Sequence, residues 1–124
     1  MALHNELGAW GEQVAREFLL TQGYAIGYQN FKIGKVEIDF IARKGDRICF
    51  VEVKTRKADT YDDPLDAVDQ KKRVRMTRAA DKFIRQFNIP LDPQFDIITI
   101  VGDPADYRID YYPDAFFPIL NNGF

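Results

Sequence analysis

Two segments of the sequence carry charged side chains at alternating positions, Glu37 with Asp39 and Glu52 with Lys54. Alternate residues of a β-strand lie on one face of a sheet, so each pair shares a face if its segment is a strand. Residues 44–47, with glycine at their centre, are typical of a hairpin turn between two such strands. A hairpin closed by this turn places Asp39 opposite Glu52 and Glu37 opposite Lys54.

Asp39 and Glu52 form an unfavourable pair in this register. Two like charges about 5 Å apart repel by roughly 3 kcal/mol at an effective dielectric constant of about 20. A divalent cation removes that repulsion, and Mg²⁺ typically takes one or two protein carboxylates, waters and phosphate oxygens. Lys54 would then lie beside the charge that develops on a phosphate under attack. The pattern therefore predicts phosphodiester hydrolysis with Mg²⁺ or Mn²⁺; the alternative is a solvated charged face that Lys54 neutralises.

The same register predicts an apolar face on the other side of the hairpin. We expect Cys49 there to be a packed thiol rather than a nucleophile. The pairs that form this face are Ala42 with Cys49, Phe40 with Val51, and Ile38 with Val53.

A third acidic residue, Glu12, belongs to a helix predicted from Asn5 to Gln22, where apolar residues recur at helical spacing. Gly8 and Gly11 remove side chains from the same surface, so a strand or a ligand can approach it closely. We expect Glu12 either to support the metal site or to lie at the edge of the buried stripe of the helix.

A second predicted helix, with Asp63 as N-cap and Pro64 as its first residue, runs to about Phe87. Lys72 lies in line with its apolar residues and therefore needs an anion nearby. A row of basic residues, the basic ridge, lies one helical step from Lys72. We expect it either to bind a phosphate backbone or to be the solvated side of an amphipathic helix. Arg56 would extend this basic surface. The ridge consists of Lys71, Arg75, Arg78, Lys82 and Arg85.

The remaining elements are predicted strands joined by short turns, with a loop at residues 56–63. The expected order is α-β-β-β-α-β-β, an α/β fold with a central mixed sheet flanked by helices. The predicted strands are Tyr24–Tyr28, Lys35–Arg43, Arg47–Thr55, Phe95–Val101 and Arg108–Tyr112. Of these, Phe95–Val101 is apolar enough to be buried on both faces.

Composition excludes several classes of protein. The 124 residues suit one core, so we expect residues 1–124 to form a single domain. One cysteine and one histidine exclude a disulfide framework and a zinc site within the chain, so any metal must rely on carboxylates. No apolar run has the length of a membrane span, and no signal peptide is evident, so a cytoplasmic location is expected.

Taken together, the motifs Gly8-x-x-Gly11-Glu12, Glu37-Ile38-Asp39-Phe40-Ile41, Phe50-Val51-Glu52-Val53-Lys54 and Val68-x-x-x-Lys72 resemble those of the small bacterial YraN family. That family belongs to the PD-(D/E)XK nuclease superfamily, and the resemblance covers roughly residues 7–84. The resemblance implies a restriction-endonuclease-like core and Mg²⁺-dependent cleavage. It also implies Asp39 and Glu52 as metal ligands, Lys54 as catalytic lysine, Glu12 as accessory acid and Lys72 as a helix residue that faces the site.

Three functions follow as expectations. The first is a metal-dependent nuclease acting on nucleic acid, with DNA favoured over RNA. The second is a catalytically silent nucleic-acid-binding module of a DNA repair or processing complex. The third is a structural interaction domain that uses the apolar tail at residues 116–120. A homodimer stays open, because cutting both strands of a duplex needs two sites.

Overall fold

A computed structural model describes residues 3–58 and 68–117 of the chain. The elements of these residues follow the order α-β-β-β-α-β-β, which confirms the predicted order. They are α1 (Leu3–Thr21), β1 (Ala25–Ile33), β2 (Val36–Lys44), β3 (Arg47–Arg56), α2 (Gln70–Gln86), β4 (Asp92–Asp103) and β5 (Asp106–Phe116). Within these described residues, neither helix is both long enough and apolar enough to cross a membrane.

The strands of the described residues form one open mixed sheet in the order β1-β2-β3-β4-β5. β3 and β4 are parallel, and the other neighbours are antiparallel. A parallel pair needs a crossover connection, and α2 lies in the connection between these two strands. Residues 95–100 of β4 are all buried, which confirms the prediction of a strand covered on both faces.

Each face of the sheet packs against one helix. Alternating residues of β3 divide between two cores, with Ile48 and Phe50 on one side and Cys49 and Val51 on the other. The α1-side core also contains Val14, Ala15, Leu19, Ile98 and Ile100, and the α2-side core also contains Met76, Ala80, Phe83, Phe95 and Ile97.

The predicted second helix is not continuous from Pro64 to Phe87. α2 begins at Gln70, and the carboxylate of Asp69 caps it by accepting a hydrogen bond of 2.8 Å from the backbone N–H of Lys72. The preceding residue, Val68, is not helical. Asp69 satisfies a free N–H group of the first turn, which is the role that the sequence had suggested for Asp63. Asp63, Pro64 and residues 59–63 of the predicted loop lie outside the described residues.

The predicted hairpin register is confirmed from Lys44↔Arg47 to Phe40↔Val51, but the apolar face is wrong at Ile38. Ile38 packs in the α2-side core together with Ile41, whereas Phe40 packs in the α1-side core. Strict alternation cannot place residues 38 and 41 on the same side, so the pleat is interrupted between them. Asp39 therefore lies at an irregularity of β2 rather than on a regular charged face.

Cys49 is a buried thiol, as predicted, with 1% of its surface exposed. Burial and the neighbouring Asp96 carboxylate raise the pKa of this thiol to about 12. We expect an aromatic disulfide reagent at about pH 8 to modify Cys49 at least roughly tenfold more slowly in the native protein than in urea. Equal rates of modification in the native and denatured protein would contradict this burial.

Candidate active site

The four side chains predicted to be catalytic line one cleft of about 270 Å³, here called the acidic cleft. They come from three separate elements, since Glu12 is on α1, Asp39 on β2, and Glu52 and Lys54 on β3. Glu52 is 8% exposed, whereas Lys54 is exposed to solvent. The remaining residues of the lining are Leu7, Gly8, Val53 and Thr55.

Asp39 takes the place of a backbone acceptor at the end of the paired part of the hairpin. The Cα pairing of β2 with β3 reaches Phe40↔Val51, and two residues further along β3 the backbone N–H of Val53 donates a 2.7 Å hydrogen bond to Asp39 Oδ2. Burial and the nearby Glu52 carboxylate raise the pKa of Asp39 from 3.8 to about 8, although the Val53 N–H favours the charged form. The carboxyl of Asp39 is therefore difficult to ionise without a cation.

Glu52 meets a protein cation at the edge of the acidic cleft. The ammonium of Lys72 donates a hydrogen bond to Glu52 Oε2 and forms an ion pair with it. Burial raises the pKa of Glu52, while Lys72 acts in the opposite direction. Lys72 thus has the anionic partner that its position on the inner side of α2 required.

The raised pKa of Asp39 predicts that the metal-free protein loses stability as the pH rises. The unfolded chain releases this proton near pH 3.8, whereas the folded protein holds it to about pH 8. The folded state therefore binds more protons in this window, and the free energy of unfolding falls as the pH rises through it. Urea denaturation between about pH 5 and about pH 9 should show this slope, with most of it absent in Asp39→Asn. An equal slope in both proteins would contradict the assignment.

Glu12 is held at the acidic cleft by two amides of β1. Asn30 Nδ2 donates a 2.8 Å hydrogen bond to Glu12 Oε1, and Gln29 Nε2 donates to the same oxygen at 3.4 Å. Asn30 has a φ of 53° and lies opposite Asp39, between the pairs Gln29↔Phe40 and Phe31↔Ile38. Asparagine tolerates this left-handed conformation better than most residues. A single irregularity of the sheet therefore positions Glu12 and adjoins Asp39.

Two substitutions of Asn30 separate its hydrogen bond from its backbone conformation. If the acidic cleft cleaves phosphodiester bonds, as the sequence predicts, Asn30→Gly and Asn30→Ala should each lower cleavage by roughly tenfold, because both remove the hydrogen bond to Glu12. Only Asn30→Ala places a Cβ at a positive φ, so it should be less stable than Asn30→Gly by about 1 kcal/mol. Cleavage rates and urea denaturation would measure the two effects. Cleavage by Asn30→Gly at the rate of the unmodified protein would exclude a positioning role for Asn30.

The predicted basic residues divide into four groups. Lys72 pairs with Glu52 of the acidic cleft, and the exposed Lys71, Arg75, Arg78 and Lys82 lie along α2. Arg85 of the ridge pairs with Asp81 at 3.2 Å. Arg56 is buried, with 9% of its surface exposed, so it does not extend the exposed basic surface as the sequence had suggested.

The carboxylates of the acidic cleft suit a hard divalent cation. Among the described residues, no group of three or more acidic, histidine or cysteine side chains is close enough to hold a metal ion. Asp39 and Glu52 nevertheless provide the one or two carboxylates that Mg²⁺ takes when waters and phosphate oxygens complete its shell. The raised pKa values of both groups indicate a site in which a cation would favour the ionised forms.

Comparison with known proteins places the chain in a family. The model of a family described as "Uncharacterised protein family UPF0102" matches residues 11–100, a range that includes the four side chains predicted to be catalytic, Glu12, Asp39, Glu52 and Lys54. The chain belongs to the UPF0102 family. UPF0102 is the YraN-type family that the sequence motifs resemble, so that resemblance is confirmed.

The UPF0102 relatives match almost the whole chain. A UPF0102 protein of Bacteroides thetaiotaomicron is 42% identical over 120 residues, which cover 97% of this chain and 99% of the relative. A UPF0102 protein of Parabacteroides distasonis is 43% identical over 117 residues, covering 94% of this chain and 97% of the relative. A third, of Christiangramia forsetii, is 36% identical over 117 residues, or 94% of this chain and 98% of the relative.

Proposed function

We propose that this UPF0102 protein is a metal-dependent nuclease that hydrolyses phosphodiester bonds of nucleic acid. One observation carries the proposal: Glu12, Asp39, Glu52 and Lys54, from three elements, line the same cleft. Such a set is suited to phosphodiester hydrolysis, because carboxylates hold a divalent cation and a lysine stabilises developing negative charge. Asp39 and Glu52 would hold Mg²⁺ or Mn²⁺, which when bound supplies Lewis-acid polarisation and a more acidic water.

The remaining side chains have separate roles in this proposal. Lys54 is exposed at the cleft, so its ammonium can reach a phosphate oxygen, stabilise its charge during attack and help orient the water. Glu12, held by Asn30, adds negative charge on the α1 side. The exposed basic residues of α2 would bind the phosphate backbone on either side of the bond that is cut.

The direct test is incubation with labelled duplex, branched and single-stranded DNA and RNA in Mg²⁺ or Mn²⁺. We expect products from at least one substrate, and none from Lys54→Met. Lys44→Met is the matched control, because it removes an exposed lysine at the far end of β2 and should cleave normally. Absence of products from the unmodified protein in both metals, or equal cleavage by Lys54→Met, would reject the nuclease.

One observation favours a second function, a catalytically silent nucleic-acid-binding module. Lys72 already pairs with Glu52, so a cation of the protein neutralises one of the two candidate metal ligands. Such a module would still use the basic surface of α2. Salt-sensitive binding of nucleic acid without products would favour this function over the nuclease.

A further inference from the structure

A second cleft, here called the basic cleft, lies beside the acidic cleft. It has a volume of about 390 Å³ and is lined by Lys35, Val36, Glu37, Lys72 and Arg75. Lys35 precedes β2, whereas Arg75 comes from α2, so the fold brings these two cations together from distant parts of the sequence. The sequence predicts Arg75 as part of the basic ridge of the second helix and indicates no functional role for Lys35.

Lys72 links the two clefts. It lines the basic cleft and pairs with Glu52, which lines the acidic cleft. A ligand that extends from one cleft into the other would therefore pass the Lys72–Glu52 ion pair. A polynucleotide strand is such a ligand, because its phosphates follow one another along the chain.

The charges of the basic cleft favour an anion. Within residues 3–58 and 68–117, Lys35 and Arg75 are exposed and have no ion-pair partner, while Lys72 is paired with Glu52. Glu37 is the acidic residue of the lining, and its neighbour across the β1–β2 pair is Lys32. The guanidinium of an arginine can bind two oxygens of one phosphate, and a lysine adds a further point charge.

We propose that Lys35 and Arg75 bind a phosphate that neighbours the one cut in the acidic cleft, so that the basic cleft sets the path of the strand. This inference rests on the proposed function and deepens it. In the proposed function the acidic cleft takes a phosphate through a bound metal, whereas Lys35 and Arg75 of the basic cleft attract one without metal. The basic cleft therefore anchors the strand independently of catalysis.

Fluorescence anisotropy measures the affinity of the protein for labelled oligonucleotides at several salt concentrations. A chelator in the buffer prevents metal-dependent cleavage during this measurement. Lys35→Ala and Arg75→Ala should each weaken binding by at least about threefold and lower the salt slope by about one. Arg43→Ala is the control. It removes an exposed cation roughly 23 Å along β2 from Val36 of the basic cleft, so this variant should bind as the unmodified protein does. Equal losses in all three variants would indicate diffuse attraction and overturn the proposal.

A scan with single uncharged methylphosphonate linkages locates the anchored phosphate. An uncharged linkage at one position should weaken binding of the unmodified protein by at least about threefold. The same linkage should not weaken binding of the Lys35→Ala/Arg75→Ala double variant any further. No binding, or a scan without a distinct position, would overturn the proposal. Cleavage together with a scan that has no distinct position would support the nuclease and reject the phosphate anchor. A distinct position without cleavage would support the anchor and reject the nuclease.

Discussion

Replacing Asp39 with asparagine is expected to lower cleavage by about a thousandfold or more while the protein stays folded. Asparagine has nearly the same shape and keeps an oxygen that can accept the hydrogen bond from the backbone N–H of Val53, which is 2.7 Å from Asp39 Oδ2. It removes the negative charge that would hold a divalent cation. Because burial and Glu52 already make this carboxyl hard to ionise, a neutral side chain should not weaken the fold.

Cleavage rates in Mn²⁺ and thermal unfolding would be measured on the same preparations of Asp39→Asn. Asp46→Asn is the matched control, since Asp46 is an exposed acid in the turn between β2 and β3. It undergoes the same chemical change and should cleave at the normal rate. Loss of cleavage in both variants, or cleavage by Asp39→Asn within about tenfold of normal, would remove Asp39 from the catalytic site.

Replacing Gly11 with alanine should destabilise the protein by about 3 kcal/mol. A Cβ at Gly11 would overlap Thr55 Oγ1 and lie 2.9 Å from Thr55 Cβ, so α1 would have to move away from β3. Glu12 is the next residue, and a shift of α1 would also displace it from the acidic cleft. Cleavage should therefore fall together with stability.

Gly8→Ala makes the same change one turn earlier in α1 and serves as the control. A Cβ at Gly8 meets no atom within 4 Å, and alanine favours a helix more than glycine does. This variant should be as stable as the unmodified protein or more stable by up to about 1 kcal/mol. Urea denaturation would compare the two variants, and equal effects of both would show that the close contact with Thr55 does not limit the packing of α1.

The hairpin was predictable because its turn and its alternation agree. Residues 44–47 define the bend, and the alternation of Phe40, Ala42, Cys49 and Val51 then permits one register. Local pattern failed at Ile38, because the interruption of β2 accompanies the left-handed backbone of Asn30 on the neighbouring strand. The sequence of β2 alone carries no sign of that interruption.

Other features depend on contacts between distant residues. Asp63 is the cap predicted for the second helix, whereas in the structure Asp69 caps α2. The burial of Arg56 at the end of β3 has no local signature. Asp96 lies in a segment read as an apolar strand, yet it is fully buried and accepts hydrogen bonds from Tyr111 Oη and the backbone N–H of Asp114, each at 2.8 Å.

The acidic cleft itself could be predicted in part. Alternation and the turn indicated that Asp39 and Glu52 would be neighbours, and the type of residue indicated a cation. The meeting of Glu12 with Asn30, and of Lys72 with Glu52, joins elements far apart in the chain. Periodicity predicts which face of a helix is buried but not which residues that face contacts. These contacts could therefore be identified only from the structure.

Calorimetric titration of the protein with Mn²⁺ tests the central claim most directly. We expect one saturable site in the unmodified protein and none in Asp39→Asn or Glu52→Gln. At about pH 7 the heat should also vary with the buffer, because binding displaces the proton that Asp39 holds up to a pH of about 8. A protein that takes up no Mn²⁺, or that binds it equally well without either carboxylate, would contradict the account.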